Sequence, residues 1–172
     1  MMNENHITEL SQYLTFTLGR EEFALEIARV REVVDYTNIT KVPRMPEHLC
    51  GVINLRGNVV SVIDLRLKLG MAAIEKTMDT CIVIAEVNMD GEFLSIGILA
   101  DSVQEVVDLD PSQIEQAPKI GTKLNTECIQ GIGRYGDNFM IILDIDRVLA
   151  HNELAKVHHT PDEILPDTSE IA

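Results

Sequence analysis

The chain has 172 residues, enough for one domain of ordinary size or two small ones sharing a core. Its 45% hydrophobic and 24% charged residues are the composition of a soluble globular protein, and 4% aromatic with no Trp points to an aliphatic core. The 28 Asp and Glu against 14 Lys and Arg give a formal charge of −14, which opposes approach to nucleic-acid phosphates or anionic lipid.

The opening residues, MMNENHITEL, have neither the basic region nor the apolar core of a secretory signal. No apolar run approaches the roughly 18 residues needed to cross a bilayer, so direct membrane insertion is not expected. Cys50, Cys81 and Cys128 are odd in number, widely spaced and set in apolar strands. They read as buried free thiols of a reducing cytoplasm.

In chain order, residues 1–11 read as a flexible N-terminal extension. Leu14, Phe16 and Leu18 alternate with Tyr13, Thr15 and Thr17, and after Gly19-Arg20-Glu21 the alternation resumes with Phe23, Leu25 and Ile27. This predicts an antiparallel hairpin with one wet face. The segment RVREVVDY continues the β character, and Pro43 and Pro46 then exclude a central strand. Two apolar runs follow in GVINLRGNVVSVIDLRLKLG at 51–70, joined by Arg56-Gly57-Asn58, residues that tolerate a positive φ. Asp64 stands where an acidic cap opens a short helix over 65–69.

Residues 71–79 read as a linker. CIVIAEV then predicts a near-continuous apolar strand, Asn88-Met89-Asp90-Gly91 a hairpin turn, and EFLSIGILADSVQEVVDL answers EFALEIARVREVVDY. Pro111 and Pro118 mark a second proline loop, and a strand is expected from near Glu127. GIGRYGDNFMIILDIDRVLA at 131–150 repeats the earlier hairpin at an offset of 80, with Gly51 on Gly131, Asn58 on Asn138, Asp64 on Asp144 and Leu69 on Leu149. An ungapped echo with its turn and cap residues in register marks two copies of one β unit. The limits it suggests are 12–70 and 80–150. Ile145, Val148, Leu149 and Leu154 suit a C-terminal helix packed on the second copy, and 151–172 read as its end and a disordered acidic tail, with a short motif at Ile164 and Leu165. Many short strands and few helices predict a mainly β, barrel-like architecture in which closure removes exposed edges.

No catalytic constellation stands out. His6, His151, His158 and His159 fall in expected tails or at a helix end, which leaves His48 near Cys50 in the proline loop. An enzyme using that pair is the alternative from another class, although no third orienting group is evident. These residues also lack the clustered spacing of a zinc site. Asp64, Asp90, Asp137 and Asp144 suit turns and caps, and GIGRYG lacks the Lys-Ser/Thr of a phosphate loop. Arg56, in the turn between the two most apolar strands, reads either as a solvated charge or as an interface anchor.

Three motifs, GVINLRGNVVSVIDLRLKLG, IGILADSVQEVVDL and GIGRYGDNFMIILDIDRVL, together resemble the CheW family of bacterial chemotaxis coupling proteins over about residues 12–150. The resemblance implies two SH3-like five-stranded β-barrel subdomains packed side by side with a C-terminal helix, and no catalytic residue, cofactor or metal. It implies a cytoplasmic adaptor, at receptor arrays near the inner face of the membrane. Its implied partners are the cytoplasmic tip of methyl-accepting chemotaxis receptors and the CheW-like regulatory domain of the histidine kinase CheA. A scaffold for a non-flagellar output, such as surface motility, is the alternative within the family. Partner-binding positions of the family fall on Arg56, Val30, Glu32 and Val106, the last as a candidate for a receptor-facing groove. Ser61 stands where the family often has Pro, which restores a backbone donor and leaves the strand intact.

Overall fold

The computed structural model describes residues 11–72, 75–116 and 128–150. The expected N-terminal extension with His6, Pro118, the strand start near Glu127, the helix beyond residue 150 with His151 and Leu154, and the acidic tail with His158, His159, Ile164 and Leu165 lie outside the described residues.

The chain forms β1 (Ser11–Leu18), β2 (Glu21–Glu26), β3 (Val30–Asp35), β4 (Leu49–Leu55), β5 (Asn58–Ile63) and a one-turn helix α1 (Leu65–Lys68). The second half forms β6 (Cys81–Met89), β7 (Glu92–Ala100), β8 (Ser102–Leu109), β9 (Ile114–Glu115), β10 (Ile129–Tyr135), β11 (Asn138–Leu143) and α2 (Ile145–Ala150). The fold is mainly β, as the strand and turn pattern predicts.

The strands make two sheets, of order β8-β1-β2-β11-β10-β9 and β3-β6-β7-β5-β4. Each sheet therefore draws strands from both halves of the chain. The hairpin β1-β2 of the first copy joins β10-β11 of the second through a parallel seam, Phe23 opposite Ile141 and Ala24 opposite Ile142. Reciprocally, β6-β7 of the second copy joins β4-β5 of the first, Ser61 opposite Ile96 and Ile63 opposite Ile98. The repeat is exact in its irregularities: bulges at Cys50 and at Gln130 fall 80 residues apart.

Three apolar cores explain the exchange. A central core takes Leu14, Phe16, Leu18, Phe23 and Leu25 from the six-stranded sheet, Val83, Val87, Ile96 and Ile98 from the five-stranded one, and Leu65, Ile145 and Leu149 from the helices. Inside the curl of the six-stranded sheet lie Tyr13, Ala24, Val107, Leu109, Met140 and Ile142. Inside the other lie Ile53, Val60, Val62, Ile82 and Ile84. The hairpins β1-β2 and β6-β7 stand between the central core and one inner core each, so each is buried in part on both faces. The wet face predicted for β1-β2 is thus reduced to its ends: Tyr13 and Thr15, on its expected polar side, are buried, while Thr17, Glu22 and Glu26 stay partly exposed. Its energetic centre is the cross-strand pair Phe16 and Phe23, stacked at 6.2 Å, each ring contributing about 1.5 to 3 kcal/mol by burial.

Neither sheet closes by hydrogen bonds among the described residues; β8, β9, β3 and β4 remain edges. Asp110 caps a turn at Pro111–Gln113 that carries the chain out of β8, and among the described residues the two-residue β9 flanks β10. Ile27, expected to extend the alternation of β2, instead opens a 3-10 turn (Ile27–Arg29) where the chain crosses from one sheet to the other.

Candidate functional site

The site is built on the β4-β5 hairpin. Leu55 pairs with Asn58, leaving Arg56-Gly57 as a two-residue turn with φ of 53° and 88°. Both values are positive, as a type I′ turn requires, and Asn54 Oδ1 accepts a hydrogen bond from Gly57 N at 2.8 Å. An L residue such as Arg is disfavoured at that first position, and Gly136 occupies the equivalent place in the second copy with φ of 65°.

What Arg56 gains is a bidentate ion pair with Glu32 of β3, Nη1 to Oε2 at 2.5 Å and Nη2 to Oε1 at 2.6 Å. Since β3 and β4 are opposite edges of the five-stranded sheet, the pair bridges the mouth of the curled sheet. The guanidinium hydrogen bonds hold the Glu32 carboxyl below its ordinary pKa, and Glu32 raises that of Arg56 in return.

Under this bridge opens a groove of about 530 Å³. Its floor is apolar and buried, with Val60, Ile63, Ile84 and Ile96, while Val59, 76% exposed, stands on its rim beside Arg56. Leu94 and Ser95 of β7 complete one wall. An apolar floor under a fixed, paired cation suits an apolar side chain of a partner with a carboxylate nearby.

Of the four positions singled out in the sequence, Arg56 and Glu32 meet in this groove and the other two lie elsewhere. A bulge between Val30 and Glu32 is the reason for the first separation: Val30 pairs with Ala85 and packs against the central core, whereas Glu32 pairs with Ile84 of the inner core. Without the bulge both side chains would share a face. Val106, 47% exposed, lies on β8 at the edge of the other sheet, opposite Leu14. Its counterpart in the first copy is Val33, 41% exposed and opposite Val83. The rim residue Val59 likewise has an exposed counterpart in Phe139, 80 residues on. Sequence reasoning missed Val33, Val59 and Phe139, although in each the outward phase of a strand carries an apolar residue, a signal legible in the alternation.

Burial works against a Cys50 nucleophile activated by His48. Cys50 is half-buried rather than buried as expected, and burial, aided by Asp64, pushes its thiol up to about 11, so it stays protonated at neutral pH. His48 is buried, and its carbonyl accepts the amide of Asp64 at 2.7 Å. Cys81 and Cys128 are buried free thiols. Among the described residues no group of three or more His, Cys, Asp or Glu is placed to hold a metal ion, and no helix is long and apolar enough to cross a membrane.

Comparison with known proteins agrees with this architecture. The model of the CheW-like domain matches residues 12–153. The chain is 34% identical to the chemotaxis protein CheW of Klebsiella aerogenes over 85% of its length and 86% of the relative's. It is 32% identical to CheW of Helicobacter pylori over 82% of each. The crystal structure of the scaffolding protein CheW from Thermoanaerobacter tengcongensis superimposes with a TM-score of 0.73 at 34% identity, covering 81% of this chain and 87% of that one. A family model spanning most of the chain, close relatives of matching length and a shared fold lead to one conclusion: the chain belongs to the CheW family, non-enzymatic scaffold proteins of chemotaxis.

Proposed function

We propose that this chain couples the cytoplasmic tip of methyl-accepting chemotaxis receptors to the CheW-like regulatory domain of a CheA-type histidine kinase, at receptor arrays on the inner face of the membrane. The groove beneath the Arg56–Glu32 bridge is its partner-docking site. The observation that carries the assignment is the combination of a buried apolar floor with a bidentate ion pair held at a disfavoured backbone angle. The equivalent turn of the second copy has Gly136 there, whereas Arg56 accepts the disfavoured angle and makes the ion pair. Val30, the first residue of β3, acts as a positioning residue through its packing on the central core. Val106, on the edge of the other sheet, belongs to a second face, so that unlike partners engage unlike ends of one molecule. Within this proposal the coupling domain runs over 12–150, its copies at 12–70 and 80–150 joined by the linker 71–79.

The test is Arg56→Glu. Circular dichroism is expected to be unchanged, because Arg56 is exposed and the turn backbone is carried by Gly57 and Asn54. Pull-down of receptor or kinase is expected to weaken by about tenfold or more, the scale of losing a desolvated charged anchor. Unchanged capture of both partners overturns the site assignment.

A further inference from the structure

Two internal repeats that exchange their hairpins raise a problem of pairing. Nothing in the backbone grammar prevents β2 from joining β5 of its own copy, and β7 from joining β11, in place of the observed seams. The side chains at the two crossings between sheets differ in charge, and they differ in a particular way.

Where β7 gives way to β8, the chain crosses at Asp101. Its Oδ1 accepts a hydrogen bond from Arg66 Nη1 at 2.7 Å, and its Oδ2 accepts one from Gly19 N at 2.5 Å. Arg66 belongs to α1, directly after β5, and is also held by Asp64, with Nε and Nη2 each donating at 2.8 Å. The Arg66 side chain is 5% exposed. Where β2 gives way to β3, the chain crosses at Arg29. Its guanidinium pairs with Asp146 of α2, directly after β11, and Nη1 donates to the Glu86 carbonyl at 2.7 Å. Asp146 Oδ1 also accepts from Asn88 N at 2.8 Å. By the offset of 80, Asp146 is the counterpart of Arg66; by the parallel seams, Arg29 lies one residue from the counterpart of Asp101. Each crossing is thus pinned to the helix that follows its neighbouring hairpin, once as acid on base and once as base on acid.

We propose that this charge reversal directs the assembly of the fold by favouring the exchanged hairpins over the unexchanged ones. In the unexchanged arrangement β2 lies beside β5 and β7 beside β11, so Arg29 meets Arg66 and Asp101 meets Asp146. Both contacts set like charges together in a shielded site, whereas both native contacts are opposite pairs. Had the two copies kept the same sign at each position, the ion pairs would hold equally well in either arrangement.

The experiment compares refolding of two variants from urea under reducing conditions. Arg29→Asp with Asp146→Arg keeps opposite charges across the native contact. In the unexchanged arrangement it sets a carboxylate at position 29 opposite Arg66 and a cation at position 146 opposite Asp101, so the discrimination is erased. Arg29→Gln with Asp146→Asn removes both charges, which leaves the Arg66–Asp101 pair in the native arrangement and no ion pair at either contact in the unexchanged one. The reversed variant also gives up the hydrogen bonds to the Glu86 carbonyl and from Asn88 N, so its native fraction is expected to unfold at a somewhat lower urea concentration than the neutral one. Its recovery of native monomer is expected at about half the yield of the neutral one or lower, with a second set of amide resonances or with dimers, which lost stability alone does not produce. Arg29→Glu with Asp146→Lys is expected to behave alike, which separates the charge pattern from the fit of one side chain. Recovery that simply follows stability, with the reversed variants refolding to native monomer without a second set of amide resonances or dimers, overturns the proposal and leaves the ion pairs as stabilising contacts only.

Discussion

At Arg56 the proposed function and the demands of folding pull in different directions. It holds φ of 53° where the equivalent turn has Gly136, so Arg56→Gly removes a backbone disfavoured for an L residue together with the guanidinium. The variant is expected to be no less stable than the parent in urea, yet to lose capture of at least one partner. The same variant has a signature at Glu32. In the parent the carboxyl is held below its ordinary range by Arg56, and in the variant its NMR titration midpoint moves back up. The sign follows from that direction: stability from the pair is present at neutral pH and is lost as pH falls through the depressed midpoint. A Glu32 midpoint unmoved by Arg56→Gly would show the ion pair to be absent in solution. The turn itself was legible in the sequence because Gly57 announces positive φ, although Arg56 and not Asn58 shares it, but its partner was not, since Glu32 lies 24 residues away and the bulge beside it changes which face it shares.

Bulges are the element-scale devices that the alternation of residues conceals. In β8 a bulge places Gln104 and Glu105 opposite Thr15 of β1, and the fully buried Thr15 hydroxyl both donates to the Glu105 carbonyl, at 3.0 Å, and accepts from its amide, at 3.1 Å. A side chain thereby replaces the ladder hydrogen bonds that the extra residue interrupts. Thr15→Val, nearly the same in shape, leaves those two backbone groups without the hydroxyl and is expected to cost about 1 to 2 kcal/mol in urea unfolding, with Thr15→Ser closer to the parent. Equal stability of the Val variant would mean that the bulge does not depend on the hydroxyl. The sequence places Thr15 on a polar face because Thr alternates with Leu and Phe there. The error has a physical cause: β-branched Thr serves a buried strand as well as an exposed one, and its role depends on a bulge 90 residues away. The near-continuous apolar run of β6, by contrast, announced its burial on two faces directly, with Ile82 and Ile84 to one core and Val83 and Ala85 to another.

At the scale of the whole molecule, the repeat visible at an offset of 80 predicts two similar units, and two sheets are present, but a unit of sequence is not a unit of structure. The exchange was illegible because the seams β2-β11 and β5-β7 join residues far apart whose local patterns suit either partner. It carries a consequence for folding. Residues 11–72 alone would keep Leu14, Phe16, Leu18, Phe23 and Leu25 on a face whose covering strands, β6 and β7, lie in the other half. A segment of about 60 residues is marginal even with an intact core, since it buries only about 60% of its unfolded surface. Produced separately, 11–72 and 75–150 are each expected to lack a cooperative urea transition and to expose apolar surface to a hydrophobic dye. Mixed in equal amounts, they are expected to regain one transition and the native amide spectrum, because every strand then finds its neighbour. A cooperative transition from either piece alone would show that one copy folds without the other's hairpin. The two proposed docking faces would then sit on separable modules, whereas complementation only on mixing makes the central core the shared support that fixes the groove at Arg56 relative to the edge at Val106.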